Sequence, residues 1–157
     1  MQLKCQGMRQ ACVLYSLAMC LNVDVDYLED HMGYATDEPF FETEGDQVRS
    51  HHAQECFDAA LAHGYAIVPV EAMPQQGNES GEVKPLWDEM TALIRLQDYM
   101  HKFDGMVHLF AGGGHLHMCA WSKDDQMIYD PNGRKYPLDD KVQLITFYAL
   151  VPTATVY

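Results

Sequence analysis

The feature that most restricts the fold is a change of rhythm near residue 105. "MVHLFA" (106–111), "HLHMCAWS" (115–122), "QMIYD" (126–130) and "VQLITFYALV" (142–151) are short runs rich in β-branched and aromatic residues, the signature of strands. "GGG" (112–114), "KDD" (123–125) and "DPNG" (130–133) punctuate them as turns. A connection as short as "KDD" joins its two strands as a hairpin, so they run antiparallel.

Upstream the rhythm is helical. Leu14, Leu17, Ala18 and Leu21 share one face of a helix over residues 12–22, which Asn22 can close. Asp24 or Asp26 can cap a short helix within 23–33 that stops at Gly33. Residues 47–63 form a third, with Val48, His52, Cys56, Ala59 and Ala60 on one face and Gly64 following it. "YAIVPV" (65–70) reads as a strand, and Pro69 inside it predicts an edge position or a strand end. Residues 71–85 read as loop, and 86–103 as a fourth helix. The pattern is α+β, with N-terminal helices packed on a C-terminal antiparallel sheet in a single domain spanning 1–157.

The 48% apolar content is enough for one core. The net charge of −13 argues against binding nucleic acid, whose phosphates need a basic surface, and permits a basic protein partner. No apolar run reaches the roughly 20 residues a membrane helix needs, and the N-terminus lacks a signal-peptide core, so a cytoplasmic location is expected. The five scattered cysteines contain no C-x-x-C pair and fit reduced thiols.

The chemistry centres on Cys12. A thiol at a helix N-terminus faces the positive end of the helix dipole, which raises its thiolate fraction. A nucleophile needs a base, and the base needs an orienter. His115 and His117 begin one hairpin strand; Asp130 and Asn132 end its partner. With the turn centred between Asp124 and Asp125, His117 faces Asn132 directly and Asp130 nearly so. Either could hold the imidazole in its tautomer. The Cys12 N–H and the Gln6 amide are candidate oxyanion donors, with Gln10 close by. Cys20 falls among the core positions of the first helix, and Cys5 precedes it.

The set "QGMRQAC" (Gln6, Cys12), "VLYSLAMCLNV", "GHLHMCAW" (His117) and "MIYDPNG" (Asp130) resembles papain-like cysteine peptidases. It is most similar to the small double-glycine-leader (bacteriocin-processing) group of phages and bacteria, and the likeness spans most of the chain. The resemblance implies a papain-like fold with the cysteine on a helix and the His–Asp pair on the sheet. It implies a Cys12–His117–Asp130 triad assisted by Gln6, with no cofactor. The corresponding activity is hydrolysis of an amide, peptide or isopeptide bond in a protein or peptide substrate. The alternatives are acyl transfer from the same thioester, or a catalytically silent member that docks a basic partner through its acidic surface. A separate reading notes that His115, His117 and Cys119 alternate along one strand face, as metal ligands can. A metal there would consume the general base.

Overall fold

The computed structural model describes residues 1–33, 53–110 and 116–153. The first helix, α1 (Cys12–Leu21), ends where Asn22 adopts the left-handed conformation. The second, α2 (Val25–Met32), runs from an N-cap at Asp24 to Gly33, whose φ of 87° is one that glycine adopts without strain. Helix α3 (Ala53–Ala62) covers the second half of the third expected helix; Val48 and His52 lie outside the described residues. After β1 (Tyr65–Glu71) comes a small two-stranded hairpin, β2 (Gln75–Gly77) and β3 (Val83–Pro85). This corrects the expectation of loop over 71–85. Three-residue strands carry no alternation to read, and here Asn78 orders the turn by accepting the N–H groups of Ser80 and Glu82. Helix α4 (Glu89–Lys102) starts three residues later than expected, because Asp88 caps it by accepting the Thr91 N–H and hydroxyl.

The remaining strands are β4 (Gly105–Phe110), β5 (Leu116–Ser122), β6 (Met127–Asp130), β7 (Arg134–Tyr136) and β8 (Gln143–Pro152). They join β1 in a six-stranded sheet of order β1-β8-β4-β5-β6-β7, with every pairing antiparallel. Strand β1 is an edge, as Pro69 demands.

Period-two alternation divides the sheet into two faces. Met106 and Met118 pack with Leu14, Leu17, Leu28, Cys56, Ala59 and Ala60 from α1, α2 and α3. Val107, Cys119, Trp121 and Phe147 pack on the other side with Leu96 and Met100 of α4. The helices therefore cover both faces rather than stacking on one. Each fully buried leucine on α1 contributes about 1.5–3 kcal/mol of burial free energy. The Trp121 indole N–H donates to the Met100 carbonyl at 2.8 Å and fixes the end of α4 on β5. Gly105 packs directly against β8; a Cβ there would come within 2.3 Å of the Tyr148 carbonyl oxygen. Among the described residues no helix is long and apolar enough to cross a membrane.

Candidate active site

The hairpin register places the site. Ala120 faces Tyr129 and Ser122 faces Met127, with no slip, so the turn is centred where the sequence put it. Continued by two residues, this register sets Pro131 opposite Met118. Proline has no N–H to give the Met118 carbonyl, so the ladder stops and β6 leaves the edge of β5. Helix α1 occupies the vacated edge. The Ser16 hydroxyl donates to the Met118 carbonyl at 3.0 Å, and the Met118 N–H helps to lower the pKa of the Cys12 thiol. Positions 12 and 16 are one helical turn apart, so α1 meets one residue of β5, Met118, with two side chains.

The segment before α1 is anchored to the same break. The Gln6 N–H donates to the Pro131 carbonyl at 2.8 Å, and the Arg9 N–H closes a turn onto the Gln6 carbonyl at 3.1 Å. Gly7 takes a φ of 60° within that turn. Ala11, at the N-cap, has no side chain to cap α1. Its own N–H donates to the Gln6 Oε1 at 3.0 Å, and the Gln6 Nε2 donates to the Asn132 Oδ1 at 3.0 Å. Gln6 is thus held at both ends of its amide, beside the first turn of the helix that begins with Cys12.

His117 and Asp130 meet diagonally across the hairpin rather than face to face. His117 Nε2 donates to Asp130 Oδ1 at 2.8 Å. A carboxylate only accepts, so Nε2 carries the hydrogen and Nδ1 is the nitrogen left for Cys12. Asp130, buried at 2% exposure, also accepts the Asn132 N–H on Oδ1 at 2.8 Å and the Tyr136 hydroxyl on Oδ2 at 2.9 Å. With Tyr136's only proton given to Asp130, Cys119 donates its S–H to the Tyr136 oxygen at 3.6 Å. The "DPNG" turn and the orienting carboxylate are the same residue: the Gly133 N–H closes the turn onto the Asp130 carbonyl at 2.8 Å.

The electrostatics follow from these contacts. Burial pushes the Cys12 thiol up, but hydrogen bonds from His117 and the Met118 and Val13 N–H groups, with the imidazolium charge, bring it below its ordinary value. His117 is pushed up to about 12, chiefly by the Asp130 carboxylate and then by the Cys119 and Cys12 sulfurs. Burial also raises Asp130, yet its bonds from His117, the Asn132 N–H and Tyr136 hold it below the usual carboxylate range. The other buried thiols move the opposite way. Desolvation raises Cys119 and Cys20, and pushes Cys56 up to about 12. Among Cys12, Cys20, Cys56 and Cys119, Cys12 is the one poised as a thiolate.

No protein-family model, curated protein or solved structure matches the chain.

Of the residues singled out in the sequence, Gln6, Cys12, His117, Asp130 and Asn132 converge, and His115 lies outside the described residues. Asn132 does not face the imidazole as the register alone suggested; its side chain serves Gln6, and its N–H serves Asp130. Cys5 is exposed and lies beside Gly133 in the turn after Asp130, while the Cys20 thiol donates to the Gly105 carbonyl. Tyr136 and Ser16 were not anticipated. The signal for Ser16 is its place one helical turn after Cys12, on the same face of α1; Tyr136 has none, since β7 is three residues long. Donor atoms of His117, Cys119 and Asp130 lie within 4.8 Å of one another, a set able to hold a divalent metal. Such a metal would displace the hydrogen bond that orients His117.

Proposed function

We propose that the protein is a cysteine-dependent hydrolase of an amide, peptide or isopeptide bond, with a papain-like arrangement. The observation that carries this reading is the continuous relay from Cys12 at the N-terminus of α1, through His117, to buried Asp130. In the resting state the pair is thiolate and imidazolium. The Cys12 sulfur attacks the carbonyl carbon, and the oxyanion is met by the Cys12 N–H and the free hydrogen on Gln6 Nε2. Collapse breaks the C–N bond, with His117 giving its proton to the departing amine. Water, deprotonated by His117, then cleaves the thioester and regenerates the thiol. Asp130 holds the ring orientation and the imidazolium throughout.

The test is site-selective labelling at pH 6, where ordinary thiols are almost wholly protonated. Iodoacetamide is expected to modify Cys12 well ahead of exposed Cys5, as read by peptide mass mapping. Equal labelling of these two thiols sinks the reading and favours a non-catalytic docking protein. In a Cys12→Ala variant all hydrolysis should vanish.

A further inference from the structure

Beside His117 opens a cleft of about 870 Å³ whose wall includes Asp130, Asn132, Arg134 and Lys141, but neither Cys12 nor Gln6. Its position has a chemical meaning. The acyl half of a substrate sits over the sulfur and the oxyanion donors, whereas the departing amine must lie against the imidazole that protonates it. A hollow walled by His117 and not by Cys12 or Gln6 is on the leaving-group side.

The charge in that hollow opposes the charge of the chain. The whole sequence carries 23 acids against 10 bases, yet among the described residues Asp130 is the one carboxylate in the wall. Its oxygens are already engaged by His117, Asn132 and Tyr136. Elsewhere Lys4, Arg9, Lys84, Lys102 and Lys123 each lie beside a carboxylate. Arg134 and Lys141 have no such partner among the described residues; Arg134 lies over the Tyr136 ring instead. The same wall presents exposed Phe110 and Leu116. Two unpaired cations beside an apolar strip suit an extended segment with acidic side chains interspersed with apolar ones.

We infer that Arg134 and Lys141 select an acidic residue on the leaving-group side of the scissile bond, so that the substrate is a polypeptide negatively charged just after the cleavage point. The acidic balance of the chain permits a basic partner, whereas the site itself has the opposite sign. The inference rests on the hydrolase reading above.

Acyl transfer separates the two. p-Nitrophenyl acetate acetylates the Cys12 thiolate, releasing nitrophenolate in a burst. The acetyl thioester then partitions between water and an added amine. The amine nitrogen forms the new C–N bond, the C–S bond breaks, and His117 moves the amine proton to sulfur. By microscopic reversibility the acceptor occupies the leaving-group cleft. With Gly-Glu-NH2, Gly-Gln-NH2 and Gly-Arg-NH2 as competing acceptors, N-acetyl dipeptide is quantified by mass spectrometry. The Glu acceptor should be preferred to Gln by about five-fold at low salt, the ratio a well-placed exposed ion pair supports, and Arg should be disfavoured. The preference should collapse in about 0.5 M NaCl and in an Arg134→Ala/Lys141→Ala variant, and should reverse in Arg134→Glu/Lys141→Glu. Each ratio is internal to one protein sample, so partial loss of folding does not distort it. A burst with equal transfer to all three acceptors, or a Glu preference that survives the double substitution, overturns the inference alone. Absence of any burst on Cys12 removes the hydrolase reading and the inference with it.

Discussion

At the scale of single residues the site separates tasks that a sequence cannot. Asp130 and Asn132 are two positions apart and each is chemically able to orient a histidine. The structure gives the carboxylate to His117 and the amide to Gln6. The division predicts a split phenotype. Gln6→Ala should lower kcat by about 100-fold or more, the usual cost of an oxyanion donor. Iodoacetamide alkylation of Cys12, which passes through no oxyanion, should persist in that variant. If alkylation falls in parallel with turnover, Gln6 acts by building the helix start instead. The titration of the pair has a definite sign. His117, raised from 6.5 to about 12, contributes stability that is complete below about 6.5 and is lost as pH rises through about 12. Cys12, lowered from its ordinary 9.0, contributes stability present above 9.0 and lost as pH falls through its depressed value. In the window between that value and 9.0 the two slopes oppose each other. Cys12→Ala removes the thiol slope while Asp130 still holds His117⁺. The urea midpoint of Cys12→Ala is therefore expected to fall more steeply than wild type between about pH 7 and 9. Parallel profiles would mean that the thiolate–imidazolium pair does not form.

At the scale of elements, the candidate site is a consequence of one interrupted ladder. Pro131 ends the pairing of β6 with β5, and α1 covers the exposed backbone of Met118 with Cys12 and Ser16. Ser16→Ala leaves a buried carbonyl without a donor, at a cost of about 1–3 kcal/mol in unfolding free energy. It should also slow Cys12 alkylation at pH 6 by loosening α1 on β5; a destabilised variant with unchanged alkylation would show that Cys12 is placed without this contact. Gly105→Ala tests the opposite face of the argument. Its Cβ meets backbone as well as the Phe147 ring, so overpacking should cost about 1–3 kcal/mol or more and lower Tm, with little effect on the pH profile of labelling in the folded fraction. Much at this scale was legible in the chain. Caps at Asp24, Asn22 and Gly33 fixed α1 and α2 to within a residue or two, and "KDD" fixed the hairpin register, because caps and tight turns are local. What escaped were the strands of three residues. Neither "QQG", "VKP" nor "RKY" is long enough for a period to show, and each forms because a neighbouring turn delivers it. Tyr136, which bonds Asp130, came with them.

At the scale of the whole molecule, the sheet order explains why the two halves of the site can meet and why no local pattern announced it. Strand β8, last in sequence, lies between β1 and β4, and the N-terminal segment before α1 is bonded to the turn after β6. The fold class followed from periodicity, but the coverage of both sheet faces did not, since an amphipathic helix such as α4 carries no mark of which face it will take. The arrangement also sets an order in time. Cys12 is made before His117 and Asp130, which follow it by about a hundred residues. At a synthesis rate of about 5–20 residues per second, some 6 to 24 seconds separate Cys12 from Asp130. Throughout that interval the nascent chain carries Cys12 without His117 or Asp130 to set beside it. On the proposed hydrolase reading, the break at Pro131 is a late assembly step: the nucleophile is armed only once the strand that must stop there has been made.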